Sequence, residues 1–150
     1  MVRIRKDFQK RSVEKLFSLL EAFHKGMDRV YDQVIILGDV VDYGPNPREV
    51  LEFSMNLKPK LVLMGNHDYL VLKNKGDIWS HWTYQQLTPS HLKIIASFKS
   101  SPVMFPNQLT FVHASTVNNC KYMITSLDFK EAFTRLHTWI SFLGTHTYKQ

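Results

Sequence analysis

The chain has 150 residues, 44% of them hydrophobic and 21% charged. That mix excludes a disordered tail and suits a single domain over residues 1–150 with a sizeable buried core. The one cysteine, Cys120, excludes an intrachain disulfide and a Cys-cluster zinc site. Apolar runs such as Val34–Leu37 are too short to span a bilayer, and no signal-peptide pattern follows the basic start Met1–Arg11, so a cytoplasmic protein without membrane contact is expected. The net charge of +6 is concentrated at the amino end, where residues 1–15 alone carry +4. Residues 1–11 therefore read as a basic arm, in the first instance a solvated terminus, with sequence-independent nucleic-acid binding as the minor alternative.

Ser12–Met27 has the spacing of an amphipathic helix, with Leu16, Leu19, Leu20 and Phe23 on one face, Ser12 as cap and Gly26 near its end. Val34–Leu37 is a short, β-branched apolar run of the kind found in strands covered on both faces. Asn46 and Pro47 then open a helix carrying Val50, Leu51 and Phe53. Leu61–Met64 is a second buried strand. Thr88-Pro89-Ser90 opens a helix with Leu92, Ile94, Ile95 and Phe98. Leu109–Val112 reads as a strand, Asp128–Leu136 as a helix and Trp139–Leu143 as a fourth strand. Alternation of strand and helix predicts an α/β layered sheet.

The ends of these strands carry the chemistry. Val34–Leu37 runs into Gly38-Asp39, Leu61–Met64 into Gly65-Asn66-His67-Asp68, Leu109–Val112 into His113, and Trp139–Leu143 into Gly144-Thr145-His146. Ligands of open α/β sheets bind beyond the carboxyl ends of strands, and glycines there let the backbone approach a ligand closely. One carboxylate, one amide oxygen and imidazoles suit Mn²⁺, Fe, Zn²⁺ or Mg²⁺. Few charged ligands leave such a site net positive, which attracts a phosphate ester.

Gly38-Asp39-Val40-Val41-Asp42-Tyr43-Gly44-Pro45 and Gly65-Asn66-His67-Asp68 resemble the second and third signature blocks of the calcineurin-like metallophosphoesterases, in particular the small bacterial phosphodiesterase and diadenosine-tetraphosphatase-like branch. Val112-His113-Ala114 resembles the fourth block, and the stretch from Trp82-Thr83 to Leu87-Thr88 resembles an insertion of that branch. The resemblance spans about residues 12–146. It implies a layered α/β/β/α sandwich and one or two divalent metal ions, Mn²⁺ first among them. It implies hydrolysis of a phosphomonoester or phosphodiester, a nucleotide being one option, by attack of a metal-bound hydroxide. Asp39 would bridge two metals, Asn66 and His113 would bind the second, His67 would contact the phosphate or protonate the leaving oxygen, and Asp68 would orient His67.

Two blocks depart from the family. Its opening Asp-x-His-Gly-Asn corresponds here to Asp7-Phe8-Gln9-Lys10-Arg11, so Asp7 matches the aspartate and Gln9 stands where the histidine belongs. Its Gly-His-Thr-His corresponds to Gly144-Thr145-His146-Thr147, where His146 matches the second histidine. The first strand is thus expected to be degenerate or missing, the carboxyl-terminal strands shortened, and the first metal held by Asp7 and His146 at most. A catalytically impaired relative acting as a binding protein is the alternative these departures raise, and an incomplete sheet raises association with a second copy. Asp42, in a turn rich in glycine and proline, reads as a loop-capping residue. Tyr43 and His81 are candidate substrate contacts, with His91 weighed alongside. Trp79, Trp82 and Tyr84 either pack an insertion or stack on a nucleobase. His24 and His137 read as structural or surface residues.

Overall fold

The computed structural model describes residues 33–42, 44–100, 103–104, 109–116, 123, 125–134 and 140–143. The basic arm, the helix expected over 12–27 and the candidates Asp7, Tyr43 and His146 lie outside the described residues.

Strand β1 (Ile35–Ile36) pairs in parallel with β2 (Leu61–Val62), Ile35 opposite Leu61 and Ile36 opposite Val62. A parallel bridge from Leu63 to Lys99 continues that surface. A second sheet has the order β3-β4-β5, where β3 is Val103–Met104, β4 is Leu109–Val112 and β5 is Ile140–Leu143. β3 runs antiparallel to β4, and β5 runs parallel to it with Val112 opposite Leu143. The four strands expected from apolar runs are therefore present, β1 confined to the central pair of its run and β2 to the first two residues of its own. β3 was not anticipated, because two residues leave too little pattern to read.

Between β1 and β2 lies α1 (Pro47–Asn56), with Pro47 at its first turn as expected. Asn46 occupies the cap position but makes no side-chain cap bond; only its carbonyl engages, accepting from the Val50 amide at 3.1 Å. After β2 come α2 (Asn66–Leu72), α3 (Ile78–Gln86) and α4 (Pro89–Ala96). Thr88 caps α4 as the sequence predicts: its hydroxyl accepts from the His91 amide, and the His91 ring in turn accepts from the Thr88 amide. Helix α5 (Ser126–Thr134) starts with a reciprocal pair between Thr125 and Asp128.

Val41, Leu51, Val71, Leu87, Ile95 and Phe98 form one buried cluster beneath the helices. Leu61, Leu63 and Phe111 form a second one between the sheets. The first cluster takes in Val41, in the loop after β1, with Val62 and Met64 packed against it, and the second has Ile35, Leu37 and Leu109 packed against it, so packing anchors the strands and loops that lead into the site. No helix among the described residues is long and apolar enough to cross a membrane.

Candidate active site

The loop after β1 reverses sharply. Gly38 has φ +97° and Asp39 φ +54°, two consecutive residues in left-handed backbone, which an aspartate tolerates better than most side chains. The close fit explains the glycines. A Cβ on Gly38 would stand 2.7 Å from His113 Nδ1 and 2.8 Å from the Gly65 amide, and a Cβ on Gly65 would run into Asp39 Oδ1 and the Asp39 amide. Three strand ends thus meet at one point.

At that point Asp39, Asn66 and His113 converge. His113, 1% exposed, places Nδ1 2.6 Å from the Leu37 carbonyl, which can only accept, so Nδ1 carries a proton. Nε2 faces Asn66 Oδ1 at 3.0 Å and Asp39 Oδ1 at 3.4 Å. Both oxygens thus lie within 3.4 Å of Nε2, and a cation placed among them would meet all three electron-pair donors at once. An imidazole whose other nitrogen donates to a backbone carbonyl is the usual arrangement of a metal-binding histidine. Among the described residues no three His, Cys, Asp or Glu side chains form such a group; the third donor here is an amide oxygen. One carboxylate and two neutral ligands fit a divalent cation and leave it with surplus charge.

Beside these donors stands His67. Its backbone amide donates to Asp39 Oδ1 at 3.1 Å, which seats the first turn of α2 against the Asp39 loop. Its ring Nδ1 donates to Asp42 Oδ2 at 3.0 Å. Two expectations are corrected here. Asp42 is not merely a turn residue: its backbone carbonyl does accept from the Gly44 amide at 2.7 Å, but its carboxylate orients His67. Asp68 does not orient His67. Its oxygens accept from the Val41 and Gly65 amides, each at 3.0 Å, because as the third residue of α2 it points back at the helix start and clasps the two site loops together. The signal for Asp42 was its three-residue spacing from Asp39; the Gly- and Pro-rich context weighed in favour of turn chemistry instead.

The hydrogen bond that His67 donates to Asp42 raises the imidazole's pKa from its ordinary value, with burial opposing and the Asp39, Asp42 and Asp68 charges assisting. Burial pushes the Asp68 carboxyl up to about 6, although the Val41 and Gly65 amides pull it back.

His81 does not join the site. It lies exposed on α3, Nδ1 2.8 Å from Asn74 Oδ1 and Nε2 2.9 Å from Gln85 Nε2. His91 is also absent from it, its Nε2 reaching Glu52 on α1 at 3.1 Å. Tyr84 packs against the helical core, whereas Trp79 is exposed.

The family model described as calcineurin-like phosphoesterase matches residues 7–142. The chain belongs to the calcineurin-like phosphoesterase family. A metallophosphoesterase from Sphaerobacter thermophilus has a solved structure that is 31% identical to it with a TM-score of 0.67, over 83% of this chain and 53% of that one. The symmetrical bis(5'-nucleosyl)-tetraphosphatase of Coxiella burnetii is 31% identical over 100 residues, 63% of this chain and 33% of that protein. An uncharacterized protein of Methanocaldococcus jannaschii is 31% identical over 97 residues, 57% of this chain and 40% of that protein. The chain thus spans about a third to two fifths of the length of these curated relatives. Its mixed strands and helices are those of the metallophosphoesterase fold, as the sequence predicted.

Proposed function

We propose that this phosphoesterase-family chain hydrolyses a phosphate ester of a nucleotide in a reaction that depends on a divalent cation, Mn²⁺ being the first candidate and Fe, Zn²⁺ or Mg²⁺ the others. The observation that carries this reading is the meeting of Asp39, Asn66 and His113 beside a histidine–carboxylate pair. The three donors would hold the cation, which when bound supplies Lewis acidity and positive charge at the phosphate. His67 holds a proton. With Nδ1–H committed to Asp42, Nε2 is the atom that delivers a proton to the departing oxygen. Asp42 fixes the ring's tautomer and direction, and the raised affinity of His67 for its proton keeps the acid form populated near neutrality. Asp68 locks the Val41 and Gly65 amides, so the Asp39 and Asn66 loops stay in register.

The name of the Coxiella burnetii relative supports a nucleotide substrate, with dinucleoside tetraphosphates the first to try. Asp7 and His146 remain our proposed additional ligands, and Tyr43 a proposed substrate contact. A cytoplasmic setting accords with the single cysteine. The departures at Gln9 and Thr145 favour a second reading, a relative that binds nucleotide without turnover.

The test is hydrolysis of a chromogenic phosphodiester, a phosphomonoester and a dinucleoside tetraphosphate with Mn²⁺, beside Asp39→Ala. Turnover by the wild type that falls at least about a hundredfold in the variant is expected. Equal background rates in both would reject the enzyme and leave the binding reading.

A further inference from the structure

Helix α3 turns a polar face inward. Its buried side chains are Ser80 and Thr83, three residues apart and so on one face. Two of its apolar residues, Ile78 and Trp79, are 79% and 40% exposed, while Tyr84 packs part-buried against the helical core. Apolar burial by itself does not account for the two inward hydroxyls, since a helix oriented for burial alone would not leave an isoleucine in water. What the two hydroxyls meet is a single carboxylate. Ser80 Oγ donates to Asp42 Oδ2 at 2.8 Å, and Thr83 Oγ1 lies 3.5 Å from Asp42 Oδ1.

Ser80 has a competing acceptor, Asp77 Oδ1, which already caps α3 by accepting from the Trp79 and Ser80 amides. That oxygen is 3.5 Å from Ser80 Oγ, against 2.8 Å for Asp42. A hydroxyl has one proton, and the shorter contact takes it. Gly76 makes the approach feasible: at φ +104°, a Cβ there would stand 2.7 Å from Ser80 Oγ.

The oxygen that Ser80 reaches is the one that accepts from His67 Nδ1. The Asp42 side chain has 0% exposure, and its φ of +98° lies outside the basins a non-glycine residue prefers. Solvent therefore does not hold the carboxylate in place, and a buried carboxylate needs protein donors to stay where it is.

We propose that Ser80, assisted by Thr83, is a positioning residue: the α3 hydroxyls hold the Asp42 carboxylate against His67 Nδ1 and thereby fix the imidazole for proton delivery. This assignment rests on the phosphoesterase reading of the site. It makes α3 part of the machinery of the reaction and accounts for the two hydroxyls that the helix turns inward.

The experiment compares wild type, Ser80→Ala, Asp42→Asn and the double variant, together with Thr83→Val and Thr83→Ser, in Mn²⁺-dependent phosphodiester hydrolysis, with folding followed by circular dichroism. Ser80→Ala is expected to lower kcat about tenfold with KM within about twofold, and to lower it by no more than about twofold in the Asp42→Asn background, because Ser80 acts only through Asp42. Thr83→Ser keeps the hydroxyl and holds kcat within about twofold, where Thr83→Val loses several-fold. Losses that multiply in the double variant, or a wild-type kcat in Ser80→Ala, overturn the proposal. A second readout needs no turnover: in metal-free protein, the His67 Nδ1–H resonance should exchange with water about tenfold faster in Ser80→Ala than in wild type. Unchanged exchange overturns the positioning role. Absence of turnover in wild type with accelerated exchange in the variant counts against the phosphoesterase reading alone.

Discussion

A methyl group at position 65 would run into Asp39 Oδ1 and the Asp39 amide, so the two loops that carry the cation donors close on each other only because Gly65 has no side chain. Gly65→Ala should weaken Mn²⁺ binding about 10–100-fold, measured by titration of the folded variant. His67 works at the leaving group. His67→Ala is therefore expected to lower kcat about 10²–10⁴-fold for an alkyl phosphodiester and distinctly less for a p-nitrophenyl one, whose phenolate leaves without a proton. Equal losses on both esters would remove the proton-donor role. Asp68 makes its own prediction. Its carboxyl binds a proton more tightly in the fold, at about 6, than in the unfolded chain, at the ordinary 3.8. Its stabilising contribution is complete below 3.8 and is lost as pH rises through 6, and His67, also raised, acts in the same direction above 6.5. In EDTA, the Tm of wild type should fall more steeply between about pH 4 and about pH 7 than that of Asp68→Asn; parallel curves would contradict it. Asp39, Asn66, His67 and His113 were legible because each follows an apolar run, three of them just past a glycine. The exchange of duties between Asp42 and Asp68 was not, since both aspartates stand close to the site in sequence and only the direction of each carboxylate tells them apart.

Among the elements, the helices announced by capping chemistry were the easiest to read. Thr88-Pro89 marks α4, and its periodic Leu92 and Ile95 mark the buried face. The His91 ring closes that cap and reaches Glu52 on α1. Thr88→Ala is expected to cost about 0.5–2 kcal/mol in chemical denaturation while leaving kcat unchanged, because the hydroxyl's bonds lie within the α4 cap and not to a site residue. Helix α3 was illegible as a helix for the reason that makes it interesting: its inward residues are Ser80 and Thr83, so hydrophobic periodicity has nothing to report. α2 was hidden differently. Its first turn is Asn66-His67-Asp68, residues whose chemistry draws the eye before their helical geometry does. Arg48 adds a tie between α1 and α3, its Nε donating to the Gln86 carbonyl at the end of α3.

At the scale of the molecule, two small sheets and their covering helices place the ends of β1, β2 and β4 together, and those ends carry the donors. Apolar runs such as Val34–Leu37 and Leu61–Met64 disclosed the strands, and alternation with helices disclosed the class. Sequence pattern does not disclose which strands pair, so the division into β1-β2 and β3-β4-β5 was not foreseen. The core supports the site from below: Leu51→Ala, at a fully buried position of the helical cluster, should cost about 2–5 kcal/mol in denaturation and lower the Tm without altering KM. The central claim is that Asp39, Asn66 and His113 grip one divalent cation. Calorimetric titration of Mn²⁺ into metal-free wild type and His113→Ala tests it most directly: saturable binding by the wild type, weakened at least about tenfold in the variant, is the predicted result, and superimposable isotherms would contradict it.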